Sequence, residues 1–223
     1  MIDAQIQPFE DAPPEDVPVR GYLHVPAKAS GDAIVVTHGA GSNCNAPLLV
    51  ALASAFCDAG VTVLRCDLSF RQLRPQGPPR GDADRDQQGL RRAIESMREK
   101  VAGRIFLGGH SYGGRQASML AASQPGFADA LLLLSYPLHP PKKPAQPRTA
   151  HFLKLRTPAL FVHGRRDGFG TLEEVTAALR LIPARTQLLP IDSAGHELLT
   201  ARNRATLPHT IASTFQSFIE PPS

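Results

Sequence analysis

The chain has 223 residues, 42% hydrophobic and 20% charged, with a formal net charge of +4 and no tryptophan. These are the values of a globular domain: no apolar run approaches the roughly 20 residues of a helical membrane span, and the polar, acidic start lacks the pattern of a secretory leader. The basic residues are scattered among acids, which argues against a nucleic-acid partner, and Cys44, Cys57 and Cys66 have neither CxxC spacing nor a disulfide framework, so reduced thiols, a cytoplasmic address and no metal site are expected.

Short β-rich apolar runs alternate with helix-length amphipathic segments, the rhythm of a mostly parallel sheet covered on both faces. In chain order the pattern predicts an exposed strand at 17–25, a buried strand at 33–37, a helix at 46–59, a strand at 61–66 and an Arg- and Glu-rich helix at 84–101. An apolar strand at 104–108 and a small-residue helix at 115–122 follow, then strands at 130–135 and 159–163, a helix at 171–181, a strand at 186–190 and a closing helix at 202–218. No repeat or linker divides the chain, so residues 1–223 are expected to form one α/β domain. The connection 137–158 carries Pro137, Pro140, Pro141, Pro144, Pro147 and Pro158; proline disrupts helix interiors, so a short extended rim is predicted here rather than a helical lid.

Gly109-His110-Ser111-Tyr112-Gly113 falls between an expected strand and an expected helix. That is the pattern of a nucleophile elbow, in which a serine sits on a sharp, strained turn with its hydroxyl exposed and flanking glycines permit strand and helix to approach. A helix starting there also points its positive dipole end toward any anion formed at the serine.

A serine hydroxyl is a weak nucleophile and needs a base, with an acid to orient it. With the chain order Ser, acid, His, the acid must follow Ser111, and no acidic residue lies between Asp129 and Asp167. Asp167, just past the 159–163 strand in His163-Gly164-Arg165-Arg166-Asp167-Gly168, stands where ligand-facing groups gather in open α/β sheets. Glu173, Glu174 and Asp192 are lesser candidates: the first two suit the opening turn of a helix, and Asp192 is only four residues before His196. The base must then be His196, on the loop after the last expected strand, or His209, inside the final helix; His196 is preferred. His38 and His163, in strand-end His-Gly pairs, are read as structural hydrogen-bonding residues, and His24, His110, His139 and His151 as structural or surface ones. Two amides suit an oxyanion: Tyr112, directly after the serine, and Ala40 in His38-Gly39-Ala40-Gly41 after the 33–37 strand. That glycine loop lacks both the P-loop lysine and the GxGxxG pattern, so no nucleotide cofactor is implied.

Together, His38-Gly39-Ala40-Gly41, the elbow at Ser111, the turn bearing Asp167 and Gly195-His196 resemble the α/β-hydrolase superfamily over most of the chain. Gly109 to Arg115, Ser135 to Pro141 and Phe161 to Gly170 are similar to a small lidless group that includes testis-expressed protein 30 and dienelactone-hydrolase-like proteins. The resemblance implies an α/β-hydrolase fold without a helical cap, with Ser111 as nucleophile, Asp167 as acid, His196 as base, no cofactor and a small-molecule substrate. Relatives often carry proline where this chain has Gly168, which is expected to loosen the acid's loop. The expected activity is cleavage of a small carboxylic ester, thioester or lactone; a noncatalytic interaction module and a small-peptide serine peptidase are the alternatives, and the oligomeric state is left open. Arg71, Arg74, Lys142, Lys143, Arg148, Arg165 and Arg166 fall near the strand ends, where they either steer small anionic substrates or form a solvated rim.

Overall fold

The computed structural model describes residues 5–81 and 83–220. Eight strands form one sheet in the order β1 (Gln5–Asp11), β2 (Val19–Val25), β4 (Thr62–Cys66), β3 (Ala33–Thr37), β5 (Ile105–His110), β6 (Leu131–Leu134), β7 (Ala159–Gly164) and β8 (Thr186–Ile191). β2 runs antiparallel to both β1 and β4, and the pairings from β4 to β8 are all parallel. Parallel strands need crossovers, and these are supplied by α1 (Pro47–Asp58), α2 (Ser69–Leu73), α3 (Ala83–Arg98), α4 (Tyr112–Ser123) and α5 (Leu172–Leu179), with α6 (Leu207–Ile219) closing the chain.

The central strands are buried on both faces, so their alternation sorts side chains between two cores. Val35, Leu107, Leu131, Leu133 and Phe161 pack with Leu90, Ile94 and Met97 of α3 and Leu120 of α4. Ile34, Val36, Leu132, Leu134 and Val162 face the other way, onto Leu49, Leu52 and Phe56 of α1 and Ile211 and Phe215 of α6. The sheet is thereby clamped from both sides, and the carboxyl ends of β3, β5 and β7 are held in one plane of loops.

The expected strands and long helices form, with differences mainly at their ends and in short elements; the strand expected to be exposed at 17–25 is instead the inner strand β2, where pairing with β1 and β4 and packing on the core bury Val19, Leu23 and His24. β1 escaped the pattern because Gln-Ile-Gln-Pro-Phe-Glu-Asp carries no buried stripe: Ile6 is 56% exposed, and backbone pairing to β2 holds the strand instead. Arg92 of α3 ties it down through a two-armed pair with Asp11 at 2.9 and 3.0 Å. The closing helix begins at Leu207 rather than 202, with Pro208 in its first turn, where a missing N–H costs nothing. The proline-rich connection contains no α-helix, but it is a chain of turns with one 3₁₀ turn at Phe152–Lys154 rather than an extended rim. Its anchor is Phe152, fully buried against Tyr136 and Phe161. No described helix is long and apolar enough to cross a membrane.

Cys44, Cys57 and Cys66 are free and buried, and burial pushes the Cys44 thiol up to about 12. Burial also pulls His24 and His151 down from 6.5 to about 4, aided by the charges of Arg65 and Arg115 respectively. The folded protein therefore binds fewer protons than the unfolded chain between these values, so stability is complete above pH 6.5 and declines as pH falls toward 4. Urea unfolding midpoints are expected to track that decline, with a shallower slope in His24→Gln; a flat profile across this window would contradict it.

Candidate active site

The backbone at Ser111 has φ 50° and ψ −115°, a conformation that a non-glycine residue occupies only under constraint. The constraint is visible on each side. The Ser111 amide donates to the Leu134 carbonyl at 2.8 Å, tying the turn to β6, and α4 starts at the next residue. A Cβ at Gly109 would sit 2.6 Å from the backbone of Gly113, and one at Gly113 would sit 2.5 Å from the His38 carbonyl oxygen. The elbow can close only with glycine on both sides of the serine.

His196 reaches this serine from the loop after β8. Its Nε2 lies 2.8 Å from Ser111 Oγ, and its Nδ1 lies 2.8 Å from Asp167 Oδ2. Asp167 stands in the turn after β7, its side chain fully buried, and its second oxygen accepts the Phe169 amide at 2.8 Å. Burial alone would raise this carboxyl, but the hydrogen bond and charge of His196, the Phe169 amide and the charge of His163 outweigh it and hold it below the usual carboxylate range. Gly168 stands between Asp167 and Phe169 in this turn. The three expected residues are brought together, with the imidazole bridging hydroxyl and carboxylate.

The competing residues lie elsewhere, with Glu173 exposed in the first turn of α5. Asp192 pairs with Arg165 at 2.8 Å on the surface, and Glu174 caps α5 through Thr171. His209 lies exposed on α6. His38 takes the structural role expected of it: Nδ1 donates to the Gly39 carbonyl at 2.8 Å while Nε2 accepts the Leu68 amide at 3.1 Å. His163 Nε2 donates to the Gly170 carbonyl at 2.8 Å, fastening the far end of the Asp167 turn.

Several supporting residues carry no sequence signal. The His110 ring donates from Nε2 to the His196 carbonyl at 2.8 Å, so the elbow itself positions the base loop. Phe169 lies against the imidazole of His196 with ring centres 4.3 Å apart. Arg71, expected on a charged rim, is 7% exposed and donates to four carbonyls: Ser42 at 2.7 Å, Ala40 at 2.9 Å, Gly77 at 3.0 Å and Arg74 at 3.1 Å. It braces the glycine loop from behind. Arg165 and Arg166 do the same for the base loop, Arg165 through Asp192 and Arg166 through the Ser193 carbonyl at 2.6 Å. Lys142 and Lys143 remain exposed.

Ala40, Gly41, Ser111, Phe169 and His196 line an open cleft of about 380 Å³, the size of a small-molecule site. Tyr112 opens α4, at its positive dipole end, and Ala40 faces the same cleft from the loop after β3. Among the described residues, no group of three or more His, Cys, Asp or Glu side chains is arranged to hold a metal ion.

Residues 30–220 match a family model described as an alpha/beta hydrolase domain. Among solved structures, the chain is similar to a dienelactone hydrolase from Anabaena variabilis, with a TM-score of 0.76 and 20% identity over 98% of this chain and 100% of that one. It is similar also to an α/β serine hydrolase without lid from Xanthomonas campestris (TM-score 0.73, 18% identity, 100% and 98% covered). An esterase from Pyrococcus furiosus superposes with a TM-score of 0.76 at 17% identity, over 97% and 91% of the two chains.

Gly113→Ala must push α4 away from the His38 carbonyl, and a destabilisation of about 1–3 kcal/mol is expected for such overpacking. Urea denaturation measures it; an unchanged midpoint would refute the close approach.

Proposed function

The chain belongs to the α/β-hydrolase family, and on that premise we propose that it is a serine hydrolase that cleaves small esters, thioesters or lactones through an acyl-enzyme. The observation that carries the proposal is the 2.8 Å contact on each side of the His196 ring. In the first half-reaction Ser111 Oγ attacks the substrate carbonyl carbon while its proton passes to His196 Nε2. The Asp167 carboxylate, facing Nδ1, stabilises the imidazolium so formed. The amides of Ala40 and Tyr112 receive the negative charge on the carbonyl oxygen, where the dipole of α4 adds to them. His196 then gives its proton to the departing alkoxide, thiolate or lactone oxygen. In the second half-reaction water attacks the acyl-serine, His196 takes the water proton, and the carboxylic acid leaves as Ser111 recovers its hydrogen.

A noncatalytic scaffold would gain nothing from a serine held at strained backbone angles, a cost of about 1–3 kcal/mol. That strain, together with the absence of any helical cover over the described cleft, favours turnover of small soluble substrates.

Wild-type protein is expected to label with a fluorophosphonate probe and to hydrolyse short p-nitrophenyl esters. Ser111→Ala should abolish labelling, and His196→Ala should lower kcat roughly 10³-fold or more; equal labelling of the Ser111 variant would refute the assignment. Because Arg71 braces the Ala40 loop, Arg71→Met should lower kcat about tenfold or more with little change in KM, as expected when an oxyanion donor is loosened. Steady-state kinetics on a neutral ester checks this, and a change confined to KM would contradict the bracing role.

A further inference from the structure

A second cavity of about 380 Å³ opens beside Ser111, on the side away from the base loop, between the start of α4 and the proline-rich rim. Its walls include Tyr112, Pro137 and Phe169, and two arginines, Arg115 and Arg148, with no acidic residue. Arg115 follows Ser111 by one helical turn, with its amide donating to the Ser111 carbonyl at 3.0 Å. Side chains on a helix lean toward its N-terminus, and Arg115 accordingly joins Ser111 and Tyr112 in the cavity wall, with its guanidinium hydrogen-bonded to the Tyr136 hydroxyl. Its Nε is buried and has no hydrogen-bond partner. Arg148 comes from the rim, where the backbone is pinned twice: its amide donates to the Leu138 carbonyl at 2.7 Å, and its carbonyl accepts the Tyr136 hydroxyl at 2.6 Å.

The surroundings supply no counter-charge. Neither arginine forms an ion pair with a carboxylate among the described residues. His151, beside Arg115, is held neutral by burial, with its Nε2 against Ser118 Oγ at 2.8 Å. Burial raises the Tyr136 hydroxyl, which stays protonated. Arg148 is pulled below its ordinary value, first by burial and then by the charge of Arg115, so the two guanidiniums repel across a partly dehydrated space. An anion between them would relieve that repulsion. The guanidinium fork matches a carboxylate in a planar, two-armed fashion.

We propose that Arg115 and Arg148 form a carboxylate-binding subsite, so that the substrates cleaved at Ser111 are small esters or thioesters carrying a free carboxylate beyond the scissile bond. The assignment of substrate class rests on the hydrolase reading of Ser111; the subsite itself does not. It replaces a diffuse charged rim by one pair, of which Arg115 belongs to the elbow helix.

The test compares p-nitrophenyl hemisuccinate with p-nitrophenyl butyrate. In wild-type protein kcat/KM for the carboxylated ester is expected to exceed that for the neutral one by about tenfold or more, a factor typical of one charge-assisted pair. Arg148→Gln and Arg115→Gln should each bring this ratio toward one, mainly through KM, and the corresponding lysine variants should restore part of it. A wild-type ratio near one, or a ratio that neither variant moves, overturns the proposal. Arg148 sits on the rim, so its variant decides the matter if the Arg115 variant fails to fold. Binding is read separately by calorimetry on Ser111→Ala protein: succinate should bind, should lose affinity in Ser111→Ala/Arg148→Gln, and should outcompete inorganic phosphate. No succinate binding, or tighter binding of phosphate, also overturns the carboxylate assignment. Absent probe labelling and absent turnover of both esters would instead defeat the hydrolase reading, leaving the subsite to stand or fall on the calorimetry.

Discussion

The backbone turn at Ser111 is the constraint on which the rest of the arrangement depends. A residue at φ 50° between β5 and α4 aims the hydroxyl out of the sheet plane and sets the helix off at once in the opposite direction. Such a turn does not hold itself, because the conformation costs about 1–3 kcal/mol. It is held by the amide bond to Leu134, by the glycine contacts that let α4 press on β5 and the loop after β3, and by the leucines of β6 beneath it. The two-sided core is therefore a direct part of the site: it makes the strained turn the cheapest arrangement available to this segment.

Around the elbow, each participating loop is fastened by a residue outside the reacting group. His110 fixes the loop of His196, His163 fixes the far end of the Asp167 turn, and Arg71 fixes the loop of Ala40. Asp86, fully buried on α3, accepts from the Phe70 amide and from the Tyr112 hydroxyl, both at 2.9 Å, and so links α2, α3 and α4 behind the site. The pattern is economical: two histidines and one guanidinium, each bonded to backbone carbonyls, place the loops while the reacting side chains are left to one another.

What was legible from the residues alone follows from the same physics. Strands buried on both faces are continuous apolar runs, so β3 to β7 stood out, and Gly-x-Ser-x-Gly at a strand-to-helix junction pointed to the elbow before any coordinates. Elimination along the chain found Asp167 and His196, because acids and histidines are scarce in the relevant stretch. The rest depends on long-range packing that leaves no local trace. Arg71 reads as surface charge until its four carbonyl partners are known, since those partners lie up to 31 residues away. β1 is invisible because its pairing is through the backbone, and Arg115 looks like an ordinary helical arginine until the rim brings Arg148 opposite it.

The two outermost strands share a feature with a consequence for the molecule as a colloid. β1 carries Pro8 and β8 carries Pro190, and among the described residues each strand pairs with one neighbour in the sheet and has its other side open. Proline has no N–H, so the donor row on which an incoming chain could build is interrupted at both margins. A sheet of eight strands is a ready template for open-ended growth, and these two imino acids act as stops at either end of it. Protection against fibre-like stacking is thus written into the two margins of the sheet.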